Sequence, residues 1–133
     1  MEEIFKIPEG ALNNASSLEI AKNVVRILDA KKAGDIKLLR VEDKTVITDY
    51  FVICTGTSRT QLKSLADEIE YQLGVGGVPF LRLEGNDCDD WKVIDCRDVI
   101  VHVFNVEARG FYKLEKLWAD AEEIDISSLT NEE

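Results

Sequence analysis

Gly56-Thr57-Ser58, set between an apolar run and a helical pattern, is the place in this chain best suited to cradle a phosphate. A helix N-terminus binds anions through free backbone N–H groups and the positive end of its dipole. The turn matches neither the G-x-G-x-x-G fingerprint nor a Walker A sequence, because no lysine follows the glycine in register. Nucleotidyl transfer would also need two adjacent carboxylates on the next strand, holding magnesium against a triphosphate. That segment reads Phe80-Leu81-Arg82-Leu83-Glu84 and supplies no such pair. Asn86-Asp87-Cys88-Asp89-Asp90 gathers acids but lacks the glycine and distal glutamate of a calcium loop, so it reads as a solvated acidic loop. A tight turn with a Ser58 cap is therefore expected at residues 56–58. The alternative is a nucleotide-binding or nucleotidyltransferase-like enzyme using that turn. Neither a metal nor a cofactor is expected.

The remaining reactive side chains point away from catalysis as well. His102, the single histidine, lies inside the apolar run Val99 to Phe104. A general base needs a nucleophile or acid within reach, and the one tempting partner, Ser58, has no G-x-S-x-G elbow to present it. His102 is expected either to be structural or to border a partner-binding face. Cys54, Cys88 and Cys96 form no C-x-x-C pair, which argues against a disulfide framework and a structural zinc site. Strand alternation places Trp91, Val93 and Asp95 on one face and Lys92, Ile94 and Cys96 on the other. A tryptophan beside carboxylates has the composition of an interface anchor. The competing expectation is a tryptophan packed under the third helix.

These residues need elements to hold them. Residues 1–14, with Pro8 and Gly10 and no clear period, read as a loose arm, and 15–120 as the domain. Ser16 and Glu19 form a capping box, after which Leu18, Ala21, Val24, Val25 and Leu28 recur at helical spacing until Gly34. Asp35 to Val41 is a predicted strand. Tyr50 to Thr55 is apolar throughout, as befits a central strand buried on both faces. Ser58 and Gln61 again match a capping box, and Leu62, Leu65, Ala66, Ile69 and Leu73 mark the inner side of a second helix ended by Gly74, Gly76 and Gly77. Phe80 to Glu84 is a short predicted strand. Trp91 to Cys96 and Val99 to Phe104 read as a hairpin around Cys96-Arg97-Asp98. Asn105 is a candidate N-cap for a third helix with Phe111, Leu114, Leu117 and Trp118 on its buried side. Residues 121–133 read as a frayed acidic tail. The fold class is α/β (α+β), a single domain with a mixed five-stranded sheet and flanking helices.

Charge narrows the partners. The chain of 133 residues carries 26 acids against 16 bases, a net charge of −10. Binding to nucleic acid draws on lysines and arginines that neutralise phosphates, so direct, sequence-specific nucleic-acid binding is not expected. A basic protein is the better electrostatic match. No apolar run approaches the roughly 20 residues of a membrane helix. Met1-Glu2-Glu3-Ile4 lacks the basic and apolar regions of a signal peptide. A cytoplasmic location without membrane contact is expected.

Three blocks in order carry a family resemblance: Asp49-Tyr50-Phe51-Val52-Ile53-Cys54-Thr55-Gly56-Thr57-Ser58, then Trp91-Lys92-Val93-Ile94-Asp95 with Asp98-Val99-Ile100-Val101-His102-Val103-Phe104, then Glu107-Ala108-Arg109 with Phe111-Tyr112 and Leu114-Glu115-Lys116-Leu117-Trp118. Over roughly Leu18 to Asp125 the chain resembles the ribosomal silencing factors, the RsfS or Iojap family. The resemblance implies a nucleotidyltransferase-like fold without the catalytic carboxylates. It also implies a translation repressor that binds the large ribosomal subunit through large-subunit ribosomal protein fourteen and blocks joining of the small subunit. A homodimer is a further partner left open. The candidate partner-binding residues are Trp91, Asp95, Asp98 and His102 from the hairpin, with Glu107, Arg109 and Tyr112 from the segment after it. Where family members often have glycine before Asp98 this chain has Arg97, a poor residue for positive φ, so another turn type and a shifted hairpin register are open there.

Overall fold

The structure is a computed structural model that describes residues 5–78, 82–84 and 90–130. Cys88, most of the acidic loop and the first part of the expected strand 80–84 lie outside the described residues. Helix α1 (Ser17–Ala30) starts where the capping box places it, with the Ser16 hydroxyl accepting from the Glu19 N–H at 3.2 Å. Strands β1 (Gly34–Arg40) and β2 (Tyr50–Gly56) follow as an antiparallel pair. Helix α2 (Arg59–Gly76) is capped by Ser58 and closed by Gly77 in the left-handed conformation, so Gly74 lies inside the helix rather than ending it.

Strand β3 (Arg82–Glu84) pairs with β4 (Trp91–Asp95), and β4 with β5 (Val99–Asn105), both antiparallel. Parallel pairing of β2 with β5 joins the two halves at the centre. Two short helices, α3 (Val106–Tyr112) and α4 (Leu114–Leu117), come next. The five expected strands form, and a sixth, β6 (Glu122–Ile124), pairs with β1 in the order β3-β4-β5-β2-β1-β6. Part of the segment expected to fray is thus strand.

The period of two in β2 sorts its side chains between two layers. Tyr50, Val52 and Cys54 point into the core made with α1 and α2, whereas Phe51 and Ile53 enter a second, smaller cluster with Leu39, Phe104 and Ala108. α3, α4 and the chain after them cover this second face only in part. Trp91, Val93, Asp95 and Ile100, on the β4–β5 side, remain partly accessible.

Over its described part, residues 5–14, the expected loose arm is docked. Ile7 and Leu12 are buried in the main core. The Gln72 carboxamide clamps the backbone, accepting from Ile7 N–H at 2.8 Å and donating to Phe5 O at 2.9 Å. Leu12 N–H donates to Gly76 O at 2.8 Å. An irregular segment docks this way when its buried polar backbone groups find partners, here the Gln72 side chain and the carbonyls at the end of α2.

Arg97 does adopt positive φ, +70°, and the hairpin keeps its register with Asp95 opposite Ile100 and Val93 opposite His102. The turn therefore keeps the backbone that favours glycine. The left-handed cost to arginine is about 1–2 kcal/mol, against about 0.5–1 kcal/mol of extra unfolded-state entropy for glycine. Arg97→Gly is expected to stabilise the protein by about 0.5–1 kcal/mol, read by urea denaturation. A loss of stability would show that the arginine side chain makes a compensating contact.

Candidate functional site

On the uncovered part of the second face, the indole of Trp91 is the centre of an aromatic cluster. It stacks on Phe104 at 4.8 Å between centroids with 27° between planes, and lies 4.8 Å from Tyr112 and 5.9 Å from His102. Phe51 extends the cluster, edge-on to His102 and to Trp118, each at 5.1 Å. Offset and edge-to-face pairs of this kind are favourable beyond their buried area. The cluster follows from register: His102 and Phe104 lie two residues apart on β5, opposite Val93 and Trp91 of β4.

Trp91 Nε1–H donates to His102 Nδ1 at 3.1 Å. In the neutral ring that bond assigns the proton to Nε2, which is buried and has no partner among the described residues. Burial holds the His102 pKa down to about 4. The imidazole is thus neutral at ordinary pH and can go on accepting from Trp91. It is a clamp on the indole rather than a titrating base.

Of the other candidates, Tyr112 is half-exposed against Trp91, and Glu107 is exposed in the first turn of α3. Asn105 caps that helix as expected, its Oδ1 accepting from Ala108 N–H at 2.8 Å. Asp95 and Asp98 lie elsewhere. Asp98 is exposed in the turn before β5, its carbonyl accepting from the N–H groups of Asp49 and Tyr50. A seven-residue strand puts it about 20 Å from the α3 end. Trp91, His102, Glu107 and Tyr112 thus gather toward one end of the β4–β5 hairpin, with Asp95 and Asp98 toward the other.

Arg109 faces inward. It is 8% exposed and uses its guanidinium on neighbours: Nε and Nη2 donate to the two Glu115 oxygens at 2.8 and 3.1 Å, and Nη1 donates to Asp35 O at 2.7 Å. Burial works against its charge, but Glu115 and Asp35 outweigh this and hold its pKa above the ordinary value. The same pairing, with Lys37, holds Glu115 below the ordinary carboxylate range. The clamp spans Lys113, whose left-handed backbone (φ 53°) separates α3 from α4.

That break also changes the expected burial. Phe111 and Leu117, expected on the inner side of one long helix, are 78% and 73% exposed, whereas Leu114 and Trp118 pack inward. Sequence reasoning missed Phe51, Phe104 and Glu115 as parts of the site. Alternation along β2 and β5 carried a signal for the first two. No local pattern marked Glu115, whose bond to Arg109 depends on the Lys113 kink.

The phosphate-like turn spends two of its N–H groups on its own side chains. Thr57 N–H donates to Gln61 Oε1 at 2.6 Å, and Gln61 N–H to the Ser58 hydroxyl at 3.0 Å. A Cβ on Gly56 would meet Leu62 Cδ1 at 2.6 Å, so the glycine admits the close approach of α2. Cys54 and Cys96 are buried thiols pushed up to about 12 by burial, the reverse of what a nucleophile needs. Among the described residues no group of three His, Cys, Asp or Glu could hold a metal ion, and no helix is long and apolar enough to cross a membrane.

Comparison with known proteins gives consistent matches. The family model described as "Ribosomal silencing factor during starvation" matches residues 14–133. The ribosomal silencing factor RsfS of Bacillus subtilis is 40% identical over 115 residues, covering 86% of this chain and 95% of that protein. A mouse protein named for mitochondrial assembly of the ribosomal large subunit is 35% identical over 98 residues, which span 71% of this chain and 43% of its own. A crystal structure from Chromobacterium violaceum superposes with a TM-score of 0.76 at 29% identity, covering 84% of this chain and 92% of that one.

Proposed function

Since the chain belongs to the ribosomal silencing factor family, we propose that it represses translation by binding the large ribosomal subunit through large-subunit ribosomal protein fourteen and sterically blocking the small subunit. The observation that carries this reading is the Trp91–Phe104–Tyr112 stack on a sheet face that α3 and α4 leave partly open. Half-exposed aromatic residues held rigid before docking are the usual anchors of protein interfaces. A net charge of −10 favours a basic protein over RNA as the contact. The mouse relative's name ties that protein to the ribosomal large subunit. On this reading the present chain acts in the cytoplasm.

The reading is non-catalytic. At the head of α2 the Thr57 N–H is taken by Gln61 Oε1 and the Gln61 N–H by the Ser58 hydroxyl, and both described cysteines favour the thiol. Silencing by occlusion needs no reacting group, only an interface that competes with the small subunit.

Sedimentation with purified subunits tests the proposal. The protein is expected in the large-subunit fraction, and pre-incubation with large subunits is expected to reduce formation of whole ribosomes when small subunits are added. Recovery with small subunits alone, or with neither, would overturn it.

A further inference from the structure

Where β5 passes into α3, an open groove of about 450 Å3 is lined by Asp90, Asn105, Glu107, Ala108, Phe111 and Tyr112. Its walls are of two kinds. Phe111 and Tyr112 are 78% and 51% exposed, with their rings edge to face at 5.0 Å and 86°. Asp90 and Glu107 supply carboxylates, and among the described residues neither forms an ion pair. Asn105 fixes the rim: its Nδ2 donates to Asp90 Oδ1 at 2.7 Å while its Oδ1 caps α3. Ala108, buried, lines the groove with a small side chain.

The chemistry of this groove selects its occupant. Aromatic faces are electron-rich and attract cations, and two carboxylates with no ion-pair partner among the described residues add to that field. An anion is repelled, and an apolar side chain would desolvate the carboxylates without compensation. A guanidinium satisfies both kinds of wall, because it is planar, weakly hydrated, stacks on rings and bonds carboxylates in parallel pairs. The groove adjoins the proposed docking face through the Tyr112–Trp91 contact at 4.8 Å.

We propose that this groove receives a single arginine side chain of the basic partner protein, stacked on the Phe111–Tyr112 pair and hydrogen-bonded by Glu107 and Asp90. The inference rests on the docking role proposed above and names the chemistry by which one end of that face selects its partner.

Two measurements on the full chain test it. In amide NMR titrations with N-acetyl-arginine amide, shifts are expected along residues 105–112. They should be absent with N-acetyl-norleucine amide and lost when Asp90→Asn and Glu107→Gln are combined. In large-subunit sedimentation, Glu107→Gln and Phe111→Ala are each expected to weaken binding about fivefold with unchanged melting temperature, since both side chains are exposed. Shifts that survive the double variant, or equal shifts with N-acetyl-lysine amide, would overturn the arginine assignment. Parent-like subunit binding by both single variants would overturn the groove's part in docking while leaving the docking role intact. Arginine-amide shifts in a parent protein that fails to bind subunits would instead sink the docking role and keep the groove as an arginine site.

Discussion

Arg109→Met is expected to lower the unfolding free energy by about 2–3 kcal/mol. Removing one partner of a buried ion pair costs about 3–5 kcal/mol, because the other charge is left without compensation. The lower figure applies because Glu115 is 30% exposed and keeps Lys37 at 3.2 Å. The Asp35 carbonyl also loses its donor at 2.7 Å. The pH dependence gives an independent reading. The bond from Arg109 holds Glu115 below its ordinary value of 4.5, so the unfolded chain takes up that proton more readily than the folded one. This stabilisation is fully present above the ordinary carboxylate range and is lost as pH falls through the lower folded value. In Arg109→Met the acid-side decline should flatten. Urea denaturation from about pH 3 to about pH 7 measures both effects. A variant with parental stability and an unchanged acid decline would remove Arg109 from its place as the strut across the Lys113 kink.

Trp91→Ala is expected to weaken large-subunit binding about thirtyfold, the loss of about 2 kcal/mol that marks an interface hot spot. Stability should fall as well, by about 1–2 kcal/mol, because the indole is only partly buried and a fully buried ring would cost about 3–5 kcal/mol. Trp91→Phe keeps a ring against Phe104 and Tyr112 and removes the hydrogen bond to His102, so it should recover most of the stability. The His102 clamp is insensitive to neutral pH. Burial lowers its pKa from 6.5 to about 4, so the stability gained by keeping it neutral is present above the unfolded value and lost as pH falls toward the folded one. Denaturation beside subunit sedimentation separates core from contact. Severe destabilisation with parental affinity in the folded fraction would place Trp91 in the core and withdraw it from the interface.

Local chemistry was enough to specify much of the framework. Ser16, Ser58 and Asn105 cap their helices as their positions in the chain demand, because capping needs only a side-chain oxygen three residues before an N–H. The buried run at Tyr50 to Thr55 reads as central, and a period of two puts Trp91, Val93 and Asp95 on one face, but which face stays half-open was decided by how α3 and α4 pack. The family, too, was legible in three ordered blocks. Tertiary structure decided what depends on contacts between distant segments. Ile7 docks because Gln72, 65 residues after it, satisfies the backbone there, and Leu12 because Gly76 O accepts its N–H. β6 forms because the edge of β1 is available to it. Phe111 faces solvent because Lys113 turns left-handed and Arg109 reaches across the kink to Glu115 and back to Asp35. Asp98 is parted from Tyr112 because β5 runs its full length between them. None of these carries a local sequence signature. Each is set by which groups the folded sheet leaves unpaired, and by which remote side chain arrives to pair them.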